Sequence, residues 1–239
     1  MQIYNEKRKF SLENRYMSIK DHCGEDDIVV DLDSDDSLIG VYVFQLINTL
    51  YQRYPNKWAI YFNYLIDSKR VMFVGMFPSN IGPIPDEVFE KGNYRNSGLW
   101  KTSELRTFRK KLFMKIDKND FLDSKGNFYI EKADGFIHYS LVELAGKNHI
   151  LKIDEPLYYY RYHQTLRQRI SPEKKIAHIA IRVLPPYLPL KSLDDIPKRK
   201  PDFKVEGKIM KMVIRAHETI DKGKRIEVKR PEYIPDLDE

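Results

Sequence analysis

An apolar run of strand length, Ile28-Val-Val-Asp-Leu32, opens directly onto a turn that carries three carboxylates, Asp33, Asp35 and Asp36, within four residues. Side chains of like charge packed this closely repel, so the turn needs a metal ion or a basic partner to compensate it. It therefore has to lie at the end of a strand, where a ligand or another element can reach it. The donors are all oxygen, which suits Mg²⁺ or Mn²⁺ better than zinc. Asp and Ser also favour turns through their own backbone hydrogen bonds, so the residues alone leave a plain acidic turn open as well.

The pattern around the turn predicts alternating helices and strands. Residues 8–22 read as a helix ahead of the strand, and Val43, Phe44, Ile47, Leu50 and Tyr51 recur at helical spacing after it. Trp58–Ile66 and Val71–Phe77 read as strands rich in aromatic and β-branched residues, with Trp58 assigned to the core. From Pro78 to Leu99 the expectation is a long loop, and such loops often bind substrate. Ser103 reads as the N-cap of a helix that lines up Leu105, Phe108, Leu112, Phe113 and Ile116. Asp117 to Asn127 reads as a turn, because Phe121 breaks the calcium-loop pattern. A helix from Asp134 to Ala145 with Gly146 at its C′ position is expected next, then strands 149–153 and 157–162, then a helix capped by Ser171-Pro172. In an open α/β sheet this order puts the acidic turn at the carboxyl end of a strand, where ligands bind.

The net charge of +6 is dispersed, since residues 191–239 hold 13 Lys/Arg against 11 Asp/Glu. No basic block appears, which argues against a dedicated nucleic-acid surface. One cysteine, Cys23, excludes an internal disulfide and fits a reducing, cytoplasmic setting, as it also fits a lumenal protein without disulfides. No run approaches the roughly 20 apolar residues of a membrane span, so no integral membrane segment is expected.

The acidic turn Asp33-Ser34-Asp35-Asp36, Lys57-Trp58-Ala-Ile-Tyr61, Ser103-Glu-Leu-Arg-Thr-Phe108, Val142-Glu-Leu-Ala-Gly146 and Glu155-Pro-Leu-Tyr-Tyr-Tyr160 together resemble family-2 glycosyltransferases of the GT-A fold. The likeness covers residues 3–190, with Pro186-Tyr-Leu-Pro-Leu190 similar to an element of large-virus and intracellular-bacterial members. It implies an α/β fold, a GT-A type mixed sheet flanked by helices and N-terminally truncated, with residues 191–239 as linker and tail. It also implies metal-dependent, inverting transfer of a sugar from a nucleotide diphosphate, foremost a UDP-sugar, to a glycan, protein or lipid acceptor.

In that likeness Asp134 is the general base, and Asp33, Asp35, Asp36 and His163 are metal ligands for Mn²⁺ or Mg²⁺. Asn14, Ser34 and Arg161 fall on the donor and diphosphate side, and Trp100 and Glu131 on the acceptor side. Members of the family normally open with an N-terminal nucleotide-binding unit ahead of this stretch, so the expectation is a truncated product or fragment, or a missing half supplied by another chain. A mis-called start codon is the plainest explanation, and oligomerisation is expected where the sheet edge is left open. A truncated, catalytically silent remnant, or an interaction module of that family, is the alternative.

Overall fold

The computed structural model describes residues 4–67, 76–78, 82–102, 104–161 and 171–204. Helix α1 (Ser11–His22) leads into strand β1 (Ile28–Asp31), a two-residue β2 (Ser37–Leu38) and helix α2 (Val43–Arg53). The long β3 (Ala59–Asp67), β4 (Met76–Pro78), the short α3 (Asp86–Lys91), β5 (Arg106–Arg109) and α4 (Lys110–Phe113) follow. Helix α5 (Ala133–His149), strand β6 (Ile150–Arg161) and helix α6 (Pro172–Val183) complete the order. Among the described residues no helix is long and apolar enough to cross a membrane.

The fold is a mixed α/β arrangement around one sheet of strand order β1-β5-β3-β6-β2. β3 and β6 are parallel, and the other pairings are antiparallel. β3 is long enough to carry two neighbours in succession, β5 against Ala59–Tyr61 and β4 against Leu65–Asp67. Pro156 is tolerated in β6 where its register with β3 shifts, a position that spares a ladder donor.

Strand side chains alternate between the faces, and each face has its own core. Val29, Ala59, Tyr61 and Phe108 meet α1, α4, α5 and α6, whereas Ile28, Val30, Ile60, Phe62 and Leu105 meet α2. On α1 the buried Leu12, Tyr16 and Ile19 form the stripe. Tyr16 packs edge-on against Phe121 and tilted against Phe113 and Phe128. Burying a ring such as Phe121, which is fully excluded from solvent, is worth about 1.5–3 kcal/mol. Trp58 is a core residue as expected, stacked flat on His149 at 3.6 Å.

The helix expected over Leu105–Ile116 is corrected to strand β5 and the four-residue α4. Leu105, Phe108 and Leu112 fit helical spacing, but the same stretch alternates. Leu105 faces the α2 side and Phe108 the α5 side, with β-branched Thr107 between two strands. Filling the central slot between β1 and β3 satisfies both sheet ladders, and that outweighs local propensity. The expected N-cap Ser103 and residues 71–75 of the expected second strand lie outside the described residues. The long loop contains α3 and a 3₁₀ turn at Tyr94–Asn96.

Gly146 ends the helical conformation of α5 at φ 59° and ψ −179°. A Cβ there would sit 2.8 Å from Pro189 Cβ, so only glycine admits this close approach. Ser171 caps α6 as its sequence suggests, its Oγ accepting from the Lys174 N–H at 3.1 Å.

Candidate active site

The site is assembled from four elements, and one arginine joins three of them. Asp31 ends β1 and Asp33 begins the turn after it, two positions on along extended chain. Asp134 lies in the first turn of α5, and His138 is one turn further along the same face. Arg15 of α1 places Nε 3.0 Å from Asp31 Oδ1, Nη2 2.7 Å from Asp33 Oδ1 and Nη1 2.5 Å from Asp134 Oδ1. Arg106 of β5 reaches Asp134 at 3.1 Å and Asp31 at 3.6 Å, and it also pairs with Glu104. Trp100 lies against this guanidinium, 5.7 Å from ring centroid to Cζ, and meets Tyr139 edge-on.

The two carboxylates at the surface of this network are driven in opposite directions. Burial and the neighbouring charge of Asp134 raise the Asp33 carboxyl above its ordinary value. Burial also opposes ionisation of Asp134, but the guanidiniums of Arg106 and Arg15 outweigh it and hold that group below the usual carboxylate range. An arginine ion-pair network splits a carboxylate pair in this way, as an acid–base site also does. Asp31 is buried too, yet the His138 hydrogen bond and then Arg15 keep it low.

Burial, followed by the charge of Arg106, pushes His138 down to about 4. The imidazole is then neutral at pH 7 and donates from Nε2 to Asp31 Oδ2 at 3.0 Å. The unfolded imidazole takes up its proton near pH 6.5 and the folded one only near 4. The stability linked to His138 is therefore complete above pH 6.5 and is lost as pH falls towards 4, by about 3 kcal/mol in all. Urea unfolding at pH 7 and pH 4.5 should show this fall in the native protein and a much smaller one in His138→Gln. An equal fall in both would contradict it.

The acidic turn does not act as one cluster. Asp33 faces Arg15, whereas Asp36 faces the end of β6, where its Oδ2 accepts from the Tyr158 hydroxyl and its Oδ1 from the Arg161 N–H, each at 2.6 Å. The Asp33 N–H also points at the Tyr158 hydroxyl, at 3.4 Å. Both oxygens of Asp36 are thus engaged in pinning the turn to β6. Ser34 and Asp35 are exposed at its tip.

An all-oxygen donor set suits a hard divalent cation, and in this turn Asp33 pairs with Arg15 while Asp36 meets Tyr158 and the Arg161 N–H. Asp31, Asp33 and Asp134 face two guanidiniums, which leaves net negative charge for a cation to meet. Asp31, Asp134 and His138 also bring one ligand atom each within 4.8 Å of one another. Arg15 and Arg106 already compensate those two carboxylates, so this group is an ion-pair network rather than a metal cage.

Of the remaining sequence-based candidates, Arg161 ends β6 and is exposed beside the turn, and Trp100 borders Arg106. Glu131 is half-buried in the bend before α5. The Asn14 side chain is used locally, accepting from Asn5 at 2.9 Å and donating to the Lys9 carbonyl at 3.2 Å. His163 lies outside the described residues. A cavity of about 20 Å³, lined by Tyr61, Thr102, Arg106, Phe108 and His138 among others, lies beneath the network. Small-molecule sites need several hundred Å³, so this void is not a donor pocket.

Sequence reasoning missed Arg15, Asp31, Arg106 and His138. The spacings Asp31/Asp33 and Asp134/His138 carried a signal, being same-face pairs on a strand and a helix. No protein-family model matches the chain, and no curated protein matches it.

Proposed function

We propose that the protein transfers a sugar from a nucleotide-diphosphate donor, foremost a UDP-sugar, to an acceptor hydroxyl on a glycan, protein or lipid, in the manner of a GT-A glycosyltransferase. The observation that carries this reading is the convergence of Asp33, from the acidic turn, and Asp134, from the opening of α5, on the single guanidinium of Arg15. The donor-side and acceptor-side acids implied by the sequence are neighbours across a partly exposed surface, with side chains 41% and 39% accessible.

In the proposed reaction Asp134 takes the proton of the acceptor hydroxyl. The acceptor oxygen bonds to the anomeric carbon as the bond from that carbon to the diphosphate oxygen breaks, leaving the electron pair on the diphosphate. A divalent cation, Mn²⁺ or Mg²⁺, held by Asp33 and Asp35 would neutralise the charge gathering on that leaving group. Asp36 and Tyr158 keep the turn in place, and Trp100, stacked beneath Arg106, would border the acceptor side.

One observation favours a second reading, a catalytically silent relative. Asp134 is held between two guanidiniums, and a carboxylate so compensated is a weak base. A single assay separates the two readings. UDP release is followed from UDP-glucose, UDP-galactose and UDP-N-acetylglucosamine, and GDP release from GDP-mannose, with Mn²⁺ and with EDTA. Metal-dependent release from one donor is the expected result, and no release from any donor would favour the silent relative.

A further inference from the structure

Arg15 differs from every other side chain of the site in that each of its three nitrogens meets a carboxylate from a different position in the fold. Nε contacts Asp31 at the end of β1, Nη2 contacts Asp33 in the turn, and Nη1 contacts Asp134 on α5, 119 residues along the chain. The first of these contacts is an anchor. Asp31 is itself fixed by His138 and Arg106, and its side chain is only 10% accessible. With Nε held there and the guanidinium planar, the other two N–H edges have no freedom to turn independently.

The base of the Arg15 side chain is equally constrained. Arg15 follows the buried Leu12 and precedes the buried Tyr16 and Ile19, so the packed stripe of α1 sets where the side chain starts. Arg106 also holds Asp134, but its carboxylate contacts are with Asp31, Asp134 and Glu104, not with Asp33. Among the described residues, Arg15 is thus the side chain that bridges the donor-side acid and the acceptor-side acid.

We propose that Arg15 is a positioning residue that sets the placement of Asp134 relative to Asp33, holding the acceptor side of the site in register with the donor side. The inference rests on the glycosyl-transfer reading and deepens it by naming what aligns the two halves. A lysine at this position keeps the positive charge but lacks the planar fork, so it meets one or two of the carboxylates and leaves the third unaligned. A misplacement of about 1 Å at a reacting group costs up to about 100-fold in rate.

The test compares native protein, Arg15→Lys and Arg15→Gln, using the best donor from the nucleotide-sugar panel with Mn²⁺. It reads nucleotide release for kcat and KM, calorimetric titration for donor affinity, and thermal unfolding for the folded fraction. The expected result is that Arg15→Lys folds, binds donor within about threefold of native affinity and loses about 10- to 100-fold in kcat. Arg15→Gln should lose at least as much and also melt lower, because the buried Asp31 is left with fewer partners.

A folded Arg15→Lys with native kcat overturns the proposal. So does a kcat loss no larger than the loss of folded protein, which marks a structural role, or a fall in donor affinity larger than the fall in kcat. An inert native protein instead overturns the glycosyl-transfer reading, and the inference with it.

Discussion

Asp134→Asn should abolish the proposed sugar transfer, lowering kcat by about 10²- to 10⁴-fold while leaving donor affinity close to native. That range is what a positioned general base contributes, and asparagine keeps the shape of the side chain while removing its ability to accept a proton. Asp33 and Asp35 keep their identities, and losing the Asp134 charge removes one of the causes that raise the Asp33 carboxyl, so affinity for the nucleotide-sugar, measured near pH 7, is the internal control.

The substitution also removes a negative charge from between Arg15 and Arg106, and the melting temperature should fall modestly as the two guanidiniums lose a shared partner. Steady-state nucleotide release beside a calorimetric titration of the donor checks both parts. A loss of less than about tenfold would place the proton acceptor elsewhere.

The second large effect is on stability. Arg95 and Glu143 form an ion pair with side chains only 1% and 2% accessible, and its geometry is well satisfied. Arg95 Nε donates to Glu143 Oε1 at 2.7 Å, and Nη2 pairs with Oε2. Nη1 donates to the Ile181 carbonyl at 3.2 Å, and Glu143 Oε2 also accepts from the Tyr187 N–H at 3.1 Å. The pair therefore ties α5 to α6 and to the chain that follows it.

Glu143→Ala leaves a guanidinium buried without its counter-charge, and breaking such a pair costs about 3–5 kcal/mol. That is a large share of the roughly 5–15 kcal/mol by which a folded protein is stable. Denaturant unfolding should show the loss directly. The double variant Arg95→Met/Glu143→Leu should recover part of it, because matched apolar side chains need no desolvated charges to balance, while the Ile181 carbonyl and the Tyr187 N–H lose these partners. A loss below about 1 kcal/mol in Glu143→Ala would mean that water reaches the pair.

Much of the framework was legible because it rests on local pattern. β1 followed by the acidic turn, α2, β3, α5 with its Gly146 terminus and the Ser171-capped α6 all lie where periodicity and capping residues put them. Strand β5 was not legible, since a stretch shared between two strand neighbours is decided by sheet pairing rather than by its own spacing. The same limit governs the site. Asp33 and Asp134 could be singled out by position, but the link between them runs through Arg15, whose neighbours on α1 look ordinary, and through Arg106, which lies in the misread strand. Asp36 looked equivalent to Asp33 in sequence, and only the fold of β6 beside the turn separates their partners.

The most direct test is a calorimetric titration of the native chain and of an Asp33→Ala/Asp35→Ala variant with UDP-glucose in the presence of Mn²⁺. Metal-dependent binding by the native chain that is lost in the variant is the expected result. Equal binding by both, or binding by neither, would contradict a donor site at the acidic turn.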